Sequence, residues 1–318
     1  MVILAHVETW RPYTAMYPGL VGLAGAALAG PSEAPLIFVA VAWLVPTLVW
    51  VAALYLGDYF DRDLDAVSKP HRPLPSGRMS PRCAVRTGLG CVVAAVGMGA
   101  AANWRTLVVT LIGVAGVVTY SRVFKSRGLA GNVNRGLLTP FALVFGAMAV
   151  QDVPPPTILP WALVFVLQDV ASNLVGTLRD VEGDREGGYA TLPVRRGSRH
   201  AAVVAAAAFA GAGLLALTTG FLVPGPSPNG VLLVGAVLLG AAAYTRLLAL
   251  PELTADAALR THEVLVVERL LLAAAVCTAG FGLAVTLAVS VPSLTITLAS
   301  QHLLRRRHDL SPERTAVS

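Results

Sequence analysis

Two short acidic segments interrupt a chain that is otherwise strongly apolar. The first reads Asp58-Tyr-Phe-Asp61-Arg-Asp63-Leu-Asp65 and is followed by Lys69, Arg72 and Arg78. The second reads Arg179-Asp180-Val-Glu182-Gly-Asp184-Arg185 and is followed by Arg195 and Arg196. Each begins where a long apolar run ends. Asp58, Asp61 and Asp65 stand at i, i+3 and i+7, so a helix would carry them on one face and turn Asp63 away. Asp180 and Asp184 stand at i and i+4, again on one face. Asn173 and Asp169 continue that face backwards, all four positions lying within about 60° of arc at ~100° per residue.

Carboxylates gathered in this way repel one another unless a cation lies between them. Mg²⁺ suits such a site, because it takes oxygen ligands and bridges carboxylates to phosphate oxygens. Lys69, Arg72, Lys125, Arg195 and Arg196 could then complete a clamp on a diphosphate. The chemistry that fits is departure of diphosphate from an allylic carbon, with metal and cationic side chains stabilising the developing charge. Apolar helices would hold the hydrocarbon and keep water from the carbocation. A single Asp-x-x-x-Asp at a helix end is ordinarily a solvated rim or a cap. Two in register, each trailed by arginine and a Leu-Pro turn, call for a function. Asp169 stays open between a cavity residue and a buried, paired structural acid. Arg122 and Arg127 read as topology anchors, and Glu268 and Arg269, being adjacent, face different ways and do not pair with each other.

The elements that must position these residues are membrane helices. Of 318 residues, 55% are hydrophobic and 13% charged, against roughly 25% charged in a soluble domain; the mean hydropathy is +0.68. Nine segments approach the length of about 20 apolar residues that a span needs: 13–30, 35–57, 83–102, 105–121, 134–150, 157–178, 200–221, 230–250 and 265–290. The expectation is an all-α polytopic bundle of nine transmembrane helices around a central cavity. Small residues such as Gly19-Leu-Val-Gly22 favour close helix packing. Lys and Arg concentrate in alternate loops, which places the N-terminus and both acidic segments on the cytoplasmic side. Nine spans would leave the basic tail, Arg305-Arg306-Arg307, outside. A chain reversal near Ser290–Pro292 would return it, and ten spans is the alternative.

Other features exclude function classes. The net charge of +6 is spent on loops and does not point to nucleic acid. Three scattered cysteines, Cys83, Cys91 and Cys277, form no disulfide framework. The histidines make no zinc-ligand pair. Residues 1–11 lack the pattern of a cleaved signal and read as an uncleaved start. A weak repeat is visible: each acidic cluster follows an even-numbered span, four spans apart, and precedes a Leu-Pro turn, as Leu74-Pro75 and Leu192-Pro193 do.

The stretch Asp58–Gly77 resembles the first signature of the UbiA-type intramembrane prenyltransferases. Arg179-Asp-Val-Glu-Gly-Asp184 with Thr191-Leu-Pro-Val194 and Gly197 resembles the second. Arg11-Pro12 and Tyr120-Ser-Arg-Val-Phe-Lys-Ser-Arg-Gly-Leu-Ala-Gly-Asn132 fit as well, and the resemblance runs from about residue 11 to 290. It implies two Mg²⁺ ions, an isoprenyl diphosphate donor and prenyl transfer to an aromatic or other lipophilic acceptor, in a cavity opening sideways to lipid. Asp58, Asp61, Asp65, Asp180 and Asp184 match its metal-binding set. Lys69, Arg72 and Lys125 fall at basic positions expected to meet the diphosphate, with Tyr120, Asn173 and Arg195 as further substrate-binding candidates. The family's first motif usually opens with Asn where this chain has Gly57, which removes a side-chain oxygen. The expected division is a cytoplasmic N-terminus at 1–12, a transmembrane prenyltransferase domain at 13–290 and a C-terminal segment at 291–318. Two other readings stand beside transfer: a terpene cyclase on the same scaffold, and an ion-coupled transporter using Asp169.

Overall fold

The structure is a computed structural model that describes residues 2–31 and 34–309. The last part of the expected C-terminal segment, 310–318, and the side chains of Arg306 and Arg307 lie outside the described residues. No strand occurs among the described residues. A short α1 (Val2–Trp10) leads into α2 (Pro12–Ala29), then α3 (Leu36–Phe60), α4 (Arg62–Ser68), α5 (Pro81–Ala102) and α6 (Trp104–Thr119). A π-helical turn, Tyr120–Phe124, extends α6 and is followed by α7 (Leu129–Gly136) and α8 (Thr139–Val150). The second half comprises α9 (Ile158–Arg179), α10 (Val181–Glu186), α11 (Leu192–Arg196), α12 (Ser198–Leu222), α13 (Gly230–Ala249) and α14 (Ala255–Ser300). A π turn, Gln301–Arg305, and α15 (Arg306–Asp309) end the described chain.

Eight helices among the described residues are long and apolar enough to cross a membrane, against the nine expected. α2 is not among the eight. It lies at the centre of the fold with most of its surface buried, packed on α3, α8 and α14. Lipid supplies no hydrophobic drive between helices, so close backbone approach must provide the contact. A Cβ at Gly22 would overlap the Ala42 carbonyl of α3, one at Gly25 the Leu143 carbonyl of α8, and one at Gly280 the backbone of Ala27.

α14 is one continuous element only in name. Gly282 (φ 70°, ψ 170°) breaks it in a left-handed conformation that suits glycine. Residues 256–264 before the break and 298–302 after it line one groove, so the chain has reversed. The return expected at Ser290–Pro292 therefore falls at Gly282, and Pro292 sits inside the returning helix. A proline interrupts a membrane helix less than a water-exposed one, because neighbouring groups re-satisfy the freed carbonyl. The reversal brings the C-terminal segment to the end of the bundle that carries the acidic segments.

Candidate active site

α3 does not stop at the first acidic segment. The Asp61 amide donates to the Gly57 carbonyl at 2.9 Å, Asp65 to Asp61 at 2.8 Å and Lys69 to Asp65 at 2.8 Å. This ladder carries helical phase from α3 through α4, so the three aspartates share one face. Asp58 and Asp65 are each 5% exposed, whereas the Asp63 side chain is 87% exposed. Pro70 follows the last turn and ends it. The second segment repeats the device: Asp184 donates its amide to the Asp180 carbonyl at 2.8 Å across the α9–α10 junction.

Both faces line a single cavity of about 750 Å³. Asp58, Asp61, Asp65, Asp180 and Asp184 stand at one end. Val45, Pro46, Val49, Val109, Phe141 and Phe145 contribute apolar wall further in. Lys69, Arg72, Lys125, Tyr120 and Asn173 also line it, with Tyr120 beside Asn173. Arg195 and Arg196 do not. α11 buries its first turn, Leu192 and Pro193, and sends both arginines to the surface, Arg195 lying beside Gly128. The expected place of these two in a diphosphate clamp is thus not where the structure puts them.

Four of the five acids are held by cations. Arg11 donates to Asp58 and Lys125 to Asp61. Arg72 reaches both oxygens of Asp65 at 2.8 and 3.0 Å. Asp180 accepts from Lys69 at 2.8 Å and from Arg179 at 2.8 and 3.1 Å. Burial works against ionisation of Asp180, but Arg179 and Lys69 hold its carboxyl well below the ordinary carboxylate value. Asp65 is likewise lowered, its burial outweighed by Arg72 and Lys69. Asp184 makes no ion pair among the described residues, and burial with the neighbouring Asp180 charge pushes it up to about 6. Asp58 Oδ2 is buried and unpartnered.

Among the described residues no three His, Cys, Asp or Glu side chains converge closely enough to hold a metal by themselves. Mg²⁺ is ordinarily held by one or two carboxylates and completes its shell with water and phosphate. The orphaned Asp58 oxygen and Asp184, which has Thr191 beside it but no cation paired to it among the described residues, are the donors such an ion would engage first. Were these acids to turn to a metal, their cations would be free to meet other anions. Gly57 has open space around its missing Cβ.

Deeper in the bundle lies a second polar group. Asp169, 1% exposed, accepts from Arg135 and Thr139, each at 2.6 Å, and from Arg269. Arg135 stacks over Trp50 at 4.2 Å and Arg269 over Tyr17 at 4.6 Å. Beside it Gln168 donates to Glu268 at 2.6 Å. Adjacent residues of α9 thus meet adjacent residues of α14, each on its own side, and Glu268 and Arg269 make no ion pair with each other.

Sequence reasoning passed over several residues that the fold brings to the site. Arg11 takes a left-handed conformation, φ 49°, unusual for a residue with a Cβ, and from there spans Asp58 and His308 (2.8 Å). Arg179 joins Asp180 to Asp309 (2.7 Å). Arg305 pairs with Asp309 at 3.2 Å and contacts His262. A basic residue flanking a motif was a signal for Arg11 and Arg179. For Arg305 and Asp309 only the chain reversal reveals it.

The sequence profile of the UbiA prenyltransferase family matches residues 15–265. The chain is 34% identical to a digeranylgeranylglyceryl phosphate synthase of Methanopyrus kandleri over 71% of this chain and 80% of that protein. It is 33% identical to one of Natronomonas pharaonis over 63% and 72%. A UbiA homologue of Archaeoglobus fulgidus, solved with DMAPP and Mg²⁺, superposes with a TM-score of 0.66 at 14% identity, covering 94% of this chain and 99% of that one. With a family-wide match over most of its length and the same helical bundle, the chain belongs to the UbiA prenyltransferase family and is an integral membrane enzyme.

Proposed function

We propose that this enzyme transfers a prenyl group from an isoprenyl diphosphate to a lipophilic acceptor, with Mg²⁺ held between the two acidic segments. The observation that carries the reading is one cavity with five carboxylates and four sets of paired cations at one end, and beyond them apolar wall from Val45, Val49, Val109, Phe141 and Phe145 beside the self-paired Asp169, Arg135 and Arg269 group. Asp58, Asp61 and Asp65 would hold metal from one side, Asp180 and Asp184 from the other. Bound Mg²⁺ supplies charge to the departing diphosphate. Lys69, Arg72 and Lys125, released from their acids, neutralise the remaining phosphate oxygens. The allylic C–O bond breaks with its electron pair leaving on diphosphate. The acceptor's nucleophile bonds to that carbon and gives up its proton to solvent. The apolar wall holds the hydrocarbon and limits capture by water.

The relatives named above make digeranylgeranylglyceryl phosphate by name, which supports a prenylated glyceryl phosphate as acceptor. Alternate-loop positive charge supports placing the site on the cytoplasmic side. Mass spectrometry of products from donors of increasing length, with and without a prenylglyceryl phosphate or an aromatic acceptor, tests the reading. A product carrying one added prenyl group is expected only with acceptor present. A cyclic hydrocarbon formed without any acceptor overturns it in favour of a cyclase.

A further inference from the structure

The family profile ends at residue 265, yet the chain beyond it re-enters the cavity. Arg305 is 0%, His308 3% and Asp309 6% exposed. The Asp309 Oδ2 atom accepts from Arg179 at 2.7 Å and from Arg305 at 3.2 Å. Arg305 also reaches Gln301 and His262 and stacks over Tyr13 at 5.1 Å. His308 is held by Arg11, and its carbonyl accepts from Arg72 at 3.4 Å. Arg11, Tyr13, Arg179, His262, Arg305 and Asp309 all line the same cavity as the acidic segments.

Resting on the transferase reading, we infer that Arg179 and Arg305 form a second anion niche, for the phosphate head of the acceptor, and that the Asp309 carboxylate fills it when no acceptor is bound. Three observations converge on this. Asp309 is the acid that ion-pairs with Arg305 among the described residues, and a buried arginine left without an anion is strongly unfavourable. The niche must therefore hold one anion or another. Its occupant here sits on a four-residue helix, and the Asp309 carboxylate is held by two ion pairs, from Arg179 and Arg305, which the oxygens of an entering anion can replace one for one. Finally, Arg179 touches both Asp309 and Asp180, so a head group in the niche lies next to the donor's diphosphate end. A glyceryl phosphate needs that placement, because its free hydroxyl is only a few bonds from its phosphate. Both substrates would then enter the cavity heads together and chains inward.

Binding to the purified full-length protein without metal or donor tests the niche independently of catalysis. The probes are a single-chain prenylglyceryl phosphate, the same lipid lacking phosphate, and 4-hydroxybenzoate. Asp309→Asn, which keeps shape and removes charge, is expected to lower Kd for the phosphate lipid about tenfold. Arg305→Gln is expected to raise it about tenfold by removing a charge-assisted contact. The phosphate-free lipid should bind all three proteins alike. The same pattern with 4-hydroxybenzoate in place of the phosphate lipid keeps the niche and makes its ligand a carboxylate. If Arg305→Gln does not fold, the Asp309→Asn shift decides alone. An unchanged or raised Kd in Asp309→Asn, or equal shifts with the phosphate-free lipid, overturns the niche and makes Asp309 a structural latch. Failure of the transferase reading would show separately, as a wild-type protein that forms no prenylated product.

Discussion

Aspartate and arginine build two clusters in this bundle, and they are wired differently. At the cavity's polar end, cations are spread over separate acids: Arg11 on Asp58, Lys125 on Asp61, Arg72 on Asp65, Lys69 and Arg179 on Asp180. Among the described residues Asp184 has no ion pair, and one Asp58 oxygen has no partner. Deeper in, one carboxylate, Asp169, takes two arginines and a threonine hydroxyl. It joins α7, α8, α9 and α14 and is nearly sealed. On the proposed function the first arrangement would trade partners, each acid turning to metal while its cation turns to phosphate. In the second, both Asp169 oxygens are taken, so this carboxylate ties four helices together, although Arg135 and Arg269 still line the cavity. Charge inside a membrane is tolerated on either footing, but only the first spreads its cations over separate acids.

Substitutions can break this contrast. Asp169→Ala leaves two buried guanidinium groups without their carboxylate, and should destabilise the fold by about 3–5 kcal/mol; thermal unfolding in detergent measures it. A variant as stable as wild type would mean that the deep cluster does not brace the bundle. Lys69→Ala removes a cation from the exchangeable set and should raise the donor KM about tenfold with little loss of stability. Equal loss in both quantities would erase the distinction. The Asp184 carboxyl, raised to about 6, is ionised above that pH and protonated below it. Mg²⁺ must then displace a proton, so Mg²⁺ affinity should be flat above pH 6 and fall about tenfold per unit well below it. Asp63→Asn, on the solvent side of the same helix, should change activity less than about twofold.

The contrast was partly visible in the sequence. Helical spacing alone put Asp58, Asp61 and Asp65 on one face and Asp63 off it, because α3 and α4 keep a continuous ladder through Asp61. Spacing also placed Asp169 and Asn173 on the cavity face of α9, and adjacency correctly kept Glu268 and Arg269 from pairing with each other. What adjacency could not supply was the partner, a second adjacent pair a hundred residues earlier in the chain. The C-terminal contribution was hidden for a different reason. Ser290–Pro292 carries the usual signature of a turn, whereas the break lies at Gly282, one glycine among 30, and the positive φ it takes leaves no mark in the sequence around it. Arg195 lies outside the cavity because a five-residue helix buries its first turn and sends the rest outward. Local periodicity predicts faces well, and it says little about which distant segment returns to meet them.

The central claim is that the exchangeable acids serve a metal-dependent departure of diphosphate. The direct measurement is diphosphate release from an isoprenyl diphosphate by membranes containing the wild-type chain, Asp61→Ala or Asp184→Ala, with Mg²⁺ added or chelated. Release by the wild type only with Mg²⁺, and a fall of at least about 10²-fold in both variants, is the predicted result. Release that survives chelation, or that both variants retain at the wild-type rate, would contradict it.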